Sequence, residues 1–194
     1  AIGDWTTNDP GFSSFEVEYS GVRTDLTKWG IAGGSPYAMI AAQLDGTGNK
    51  EIIIHNWNLK NVVPMRATAA NTYVLSDTTL GKQNRMLSAP DDNVALFGGM
   101  AYDIDNDGRE EVYLPTYPGD QTNLGGGGLV HMISYNSGQL TTTIDSTNVT
   151  TLDISPISGL KSVFGYGYGD INNNGKRELY FSTSYNTNVV AIEF

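Results

Sequence analysis

The sequence predicts an all-β chain assembled from similar antiparallel units. Three observations carry this. A nine-residue acidic loop pattern occurs three times, at Gln43–Glu51, Asp103–Glu111 and Asp170–Glu178. Each copy lies between short runs of aromatic, β-branched or small residues, which suit strands better than helices. The composition, with 23 glycines, 11 tyrosines and only 16% charged residues in 194, is that of a turn-rich β protein.

The second loop, Asp103-Ile104-Asp105-Asn106-Asp107-Gly108-Arg109-Glu110-Glu111, is the fullest copy. Oxygen side chains at positions one, three, five and nine, with the position-seven carbonyl, can wrap most of the shell of six to eight oxygens that Ca²⁺ takes. Gly108 permits the sharp turn. An EF-hand is excluded, because it needs a bidentate Glu at position twelve and flanking helices. Position twelve here is Leu114, inside the apolar run Val112-Tyr113-Leu114.

The metal candidates in this loop are Asp103, Asp105, Asp107, the carbonyl of Arg109, and Glu111. Four carboxylates exceed what a plain Asx-Gly turn requires. In the third loop they are Asp170, Asn172, Asn174, the carbonyl of Lys176, and Glu178, with two carboxylates and two amides. In the first, Gln43, Asp45, Thr47, Asn49 and Glu51 keep two carboxylates, and that copy reads equally as a hairpin turn or a metal site. The expectation is two Ca²⁺ sites, with the third copy open. In any copy the ninth-position Glu can instead bond the loop backbone. Mg²⁺ is disfavoured by its demand for octahedral geometry and retained waters.

The flanks repeat as well. Tyr37–Ala42, Phe97–Tyr102 and Phe164–Gly169 precede the loops, and Ile52-Ile53-Ile54, Val112-Tyr113-Leu114 and Leu179-Tyr180-Phe181 follow them. Phe97-Gly98-Gly99 and Phe164-Gly165, ahead of an Asp-rich loop and an apolar strand, resemble the FG-GAP and VCBS repeats of integrin-α-like β-propellers. The resemblance implies three four-stranded antiparallel blades with Ca²⁺ between the first and second strands. Blade 1 would span about 31–90, blade 2 about 91–157, and blade 3 about 158–194 plus an N-terminal strand at 14–20, all in one propeller segment. Three blades do not close a ring, since propellers typically need 4–8. The segment is therefore expected to belong to a larger ring or to be completed by oligomerisation.

Residues 1–13 read as an arm, and Phe15–Tyr19 alternates as a half-exposed strand. A long connection with Gly30, Gly33, Gly34 and Pro36 leads to the first unit, whose outer strands fall near 62–67 and 72–76. Beyond the second loop, Pro115 and Pro118 are expected to end the strand. Leu129–Tyr135 and Thr141–Ile144 supply the next two strands, and residues 188–194 the last.

The net charge of −10 argues against nucleic acid, which requires clustered Lys and Arg. No run approaches the roughly 20 apolar residues of a membrane span. Cysteine is absent, so disulfides contribute nothing. His55 and His131 lie in expected strands and read as structural, and no nucleophile elbow, zincin motif or phosphate loop occurs. Trp5, Trp29 and Trp57 read as sheet packing or as platforms for sugars, and Asn148-Val149-Thr150 fits a glycosylation acceptor.

These features point to an extracellular, Ca²⁺-stabilised module for recognition, adhesion or self-assembly, with a glycan or protein ligand and no catalytic residues. One alternative is the propeller part of a carbohydrate-active enzyme such as a polysaccharide lyase, with Lys60 and Arg66 as its cationic candidates. The other is a filament or surface-layer subunit.

Overall fold

The computed structural model describes residues 36–56, 61–69, 72–75, 94–96, 98–118, 129–135, 148–154, 157, 163–183 and 189–194. Twelve strands and no helix occur among them. The expected arm, the strand at 15–19, the strand at 141–144, the three tryptophans and Lys60 lie outside the described residues.

The strands form three antiparallel sheets. The first is a meander of β1 (Pro36–Ala42), β2 (Glu51–Asn56), β3 (Asn61–Ala69) and β4 (Thr72–Leu75). The second contains β5 (Val94–Leu96), β6 (Met100–Tyr102), β7 (Glu111–Pro118), β8 (Leu129–Ile133) and β9 (Val149–Asp153). There β7, β8 and β9 run as neighbours, while β5 and β6 pair with successive stretches of β7. The third has three strands in sequence order, β10 (Val163–Gly169), β11 (Glu178–Thr183) and β12 (Val189–Glu193). Each acidic loop joins two strands that pair with each other, β1 with β2, β6 with β7 and β10 with β11, the strand-to-strand corner that the sequence predicts.

Each loop-entering strand slips register once. The slip falls between Pro36 and Ala38, and between Val163 and Gly165. In the second sheet it separates Leu96↔Thr116 from Met100↔Tyr113. All three slips lie within three to seven residues ahead of the loop's first position, so the bulge belongs to the shared pattern. The expectation that Pro115 ends its strand is corrected, because β7 runs through it to Pro118. Pro115 lies opposite the slip, where the ladder on that edge is already interrupted, and a bulge tolerates a residue without an N–H.

The sheets pack face to face through two cores. Ile40, Ala42, Leu44 and Ile53 of the first meet Val112, Leu114, Ile133 and Tyr135 of the second. Met100, Tyr113, Val130 and Ile154 meet Val163, Leu179, Phe181 and Val190 of the third. Val112 and Leu114 therefore point one way from β7 and Tyr113 the other, and all three are fully buried. A strand covered on both faces must be apolar without alternation, which explains its sequence. Each such side chain contributes roughly 1.5–3 kcal/mol on leaving water. Gly99 makes the close approach possible: a Cβ there would lie 2.5 Å from the Tyr113 carbonyl oxygen and 2.6 Å from Ile40.

Candidate metal centre in the second loop

The three loops adopt one backbone conformation. Position six is left-handed in each, at Gly48, Gly108 and Gly175 (φ 98°, 89° and 85°). Position four is left-handed too, at Gly46, Asn106 and Asn173 (φ 76°, 64° and 56°). Glycine and asparagine are the residues that accept this region most readily. Glycine or asparagine stands at position four of every copy, so the sequence carries this signal there as well as at position six.

The ninth-position glutamate does the same work in all three loops. Oε2 of Glu51, Glu111 and Glu178 accepts the backbone N–H of Leu44, Ile104 and Ile171 at 3.0, 3.0 and 3.2 Å. The bond from position two to position nine closes the base of each loop. Each of these glutamates is buried. Burial, with Asp45 nearby, raises the Glu51 carboxyl above the usual carboxylate range despite the Leu44 bond. Glu111 is raised in the same way, first by burial and then by Asp105 and Asp107.

In the second loop, Asp103, Asp105 and Glu111 each offer an oxygen within 4.8 Å of the other two. This is the one such trio among the described residues. The second oxygens and lone pairs are engaged by the turn. Asp103 Oδ1 accepts from Asp107 N at 3.2 Å, and its Oδ2 from Gly108 N at 3.1 Å. Asp105 Oδ1 accepts from Asp107 N at 3.2 Å. Asp107 itself accepts from its neighbour, with Oδ1 2.8 Å from Arg109 N and Oδ2 paired with the Arg109 guanidinium. Of the four carboxylates singled out by sequence, three converge and Asp107 is turned to Arg109.

The third loop repeats these turns. Asp170 accepts from Asn174 N and Gly175 N at 3.0 and 2.8 Å, and Asn172 and Asn174 accept from Asn174 N and Lys176 N at 2.9 and 2.8 Å. The carboxamides of Asn172 and Asn174 donate to Glu193, and Lys176 pairs with that residue at 2.7 Å. Glu178 Oε1 is buried and has no hydrogen bond. In the first loop, Thr47 N and Oγ1 both reach Asp45 Oδ1, at 2.9 and 2.6 Å. Gln43 Oε1 and Glu51 Oε1 are likewise buried without a hydrogen bond, while Asn49 is exposed. Such orphaned oxygens are costly unless a donor or a cation reaches them.

The loops are also linked to one another through position eight, a charged position that loop spacing alone does not mark. Glu110 bonds Gln43 at the head of the first loop. Arg177 bonds the Asp103 carbonyl at the head of the second, donates to Asn106 Oδ1 at 2.7 Å, and lies over the Tyr102 ring at 5.3 Å. Elsewhere, His131 is buried against Thr151 Oγ1 at 2.9 Å, which fits its structural reading. Arg66 is exposed on β3. No described helix is long and apolar enough to cross a membrane. No family model matches the chain, and no curated protein matches it.

Proposed function

We propose that the chain is an extracellular β-propeller segment of the FG-GAP/VCBS kind, whose second loop binds Ca²⁺ as a structural ion. The observation that carries this is the convergence of Asp103, Asp105 and Glu111 within 4.8 Å in a loop held open by its own backbone bonds. Three carboxylates so close repel one another, and a divalent cation removes that cost. An all-oxygen donor set of high charge suits Ca²⁺, which extracellular modules bind at 10⁻⁴–10⁻³ M.

The third loop is a weaker site of the same design, with Glu178 Oε1 as its unbonded oxygen. The first shares the backbone and the buried Gln43 and Glu51 oxygens. The module's role is recognition or adhesion, with the loops fixing the stacked sheets that display a binding surface.

Melting the protein in Ca²⁺ and in excess chelator tests the reading. At Ca²⁺ a hundredfold above its dissociation constant, one site adds about 2.7 kcal/mol. That corresponds to roughly 5–10 °C in a chain of this size. Asp105→Asn should remove most of the gain, and an unchanged melting temperature in chelator would refute the proposal.

A further inference from the structure

The sheets meet by a fixed rule. Positions three and one ahead of the loop, with loop position eleven, face the following sheet: Ile40, Ala42 and Ile53 in the first, Met100, Tyr102 and Tyr113 in the second. The position two ahead of the loop, with loop positions ten and twelve, faces the preceding sheet: Ala101, Val112 and Leu114, then Tyr168, Leu179 and Phe181.

By this rule, among the described residues, no sheet meets the leading face of the third sheet or the loop end of the trailing face of the first. Loop position two shows the difference directly. Leu44 is 0% exposed and Ile104 packs on the second core, yet Ile171 is 75% exposed. Val130 on β8 is 0% exposed, whereas Val189, its counterpart on β12, is 68% exposed. At the other end, Met39 is 71% exposed and Ile52 half-buried, where Val112 and Leu179 are fully buried. Ile54, farther from the loop, is covered, so this opening lies at the loop end of the sheet.

We propose that copies of this chain associate head to tail, the leading face of the third sheet of one copy packing on the trailing face of the first sheet of the next. Two features select a second copy. The leading face is thin along Gly167 and Gly169, neither of which has an atom near the place of a Cβ, so it accepts a bulky residue such as Met39. The charges at the loops also match. Position eight of one loop engages position one of the loop before it, as Glu110 does Gln43 and Arg177 does Asp103. Lys50 is position eight of the first loop and Asp170 is position one of the third, so the ammonium that pairs with Glu110 in its own copy also faces the carboxylate of the copy before. Two copies close six sheets into a ring within the usual range for propellers, and such contacts otherwise extend into filaments.

The chain lacks cysteine, so single cysteines report the contact cleanly. Gly99 abuts Ile40 across the first interface, and the equivalent pair between copies is Met39 with Gly167. Met39→Cys and Gly167→Cys chains, mixed in Ca²⁺ and oxidised, should form a mixed disulfide dimer, while each alone should not. Light scattering of the native chain should give at least twice the chain mass, and Val189→Asp should return it to the monomer with an unchanged circular dichroism spectrum. A monomeric native mass, disulfides forming equally well in one variant alone, or a Val189→Asp chain that still associates would each overturn the proposal. Because Val189→Asp spares the loops, its Ca²⁺-dependent melting gain tests the cation site separately.

Discussion

Glu110 and Gln43 exchange two hydrogen bonds across the gap between the first and second sheets. The Glu110 N–H donates to the Gln43 carbonyl at 2.7 Å, and the Glu110 carboxylate accepts the Gln43 N–H, also at 2.7 Å. Lys50 adds an ion pair to the same carboxylate at 2.9 Å. Exposed ion pairs of this kind contribute little, so the side-chain bond to the backbone matters more. Glu110→Ala strands the Gln43 N–H and should destabilise by about 1–2 kcal/mol in denaturant unfolding, whereas Lys50→Ala should change stability by less than about 1 kcal/mol.

The closure of each loop base by its ninth residue makes a sharper prediction. Glu51 is fully buried, and its Oε2 satisfies Leu44 N–H at the edge of the first core. Glu51→Ala leaves that donor unpaired and opens a cavity, which should cost about 2–4 kcal/mol. Glu51→Gln keeps an acceptor and loses the charge that burial disfavours, so it should cost clearly less by thermal melting without added cation.

Gly99 holds φ at +151° with Tyr113, Ile40 and Leu114 packed against it. An alanine there must displace backbone as well as side chains. Gly99→Ala should destabilise by on the order of 2 kcal/mol or more, while the same change at Gly167, which no atom of its own chain approaches, should leave unfolding of the single chain nearly unchanged.

His131 supplies a pH dependence. Burial lowers its pKa from 6.5 to about 4, and it stays neutral in the folded chain while its ring bonds Thr151. Below pH 6.5 the unfolded chain binds a proton that the folded chain refuses, so stability falls as pH drops from about 6.5 to about 4. The loss from this group should reach roughly 3 kcal/mol. In His131→Gln, the denaturant midpoint should fall less steeply over that window.

Much of this was legible in the sequence. The nine-residue spacing of Asp103–Glu111 placed oxygens and Gly108 where a strand-to-strand corner needs them, and β2, β7 and β11 read as strands from their apolar runs, unbroken in β7 because both of its faces are covered. The ninth glutamate's bond to the loop backbone, one of its two expected roles, recurs in every copy. The position-four turn at Asn106 and Asn173 was readable, but its meaning depends on φ rather than on charge. Glu110 and Arg177 were not readable in this role, because a surface charge finds its partner only once neighbouring loops are brought side by side. Pro115 misled for the complementary reason: its fit depends on a register slip in another strand.

The two-sided burial of β7 has a kinetic consequence. Val112, Tyr113 and Leu114 gain their full shelter only when the sheets before and after are both in place, so the central unit has no stable form of its own. Its amides are then released to solvent only in global opening, and deuterium enters there last. In a single copy, fraying begins in the first and third sheets, and the second opens after both.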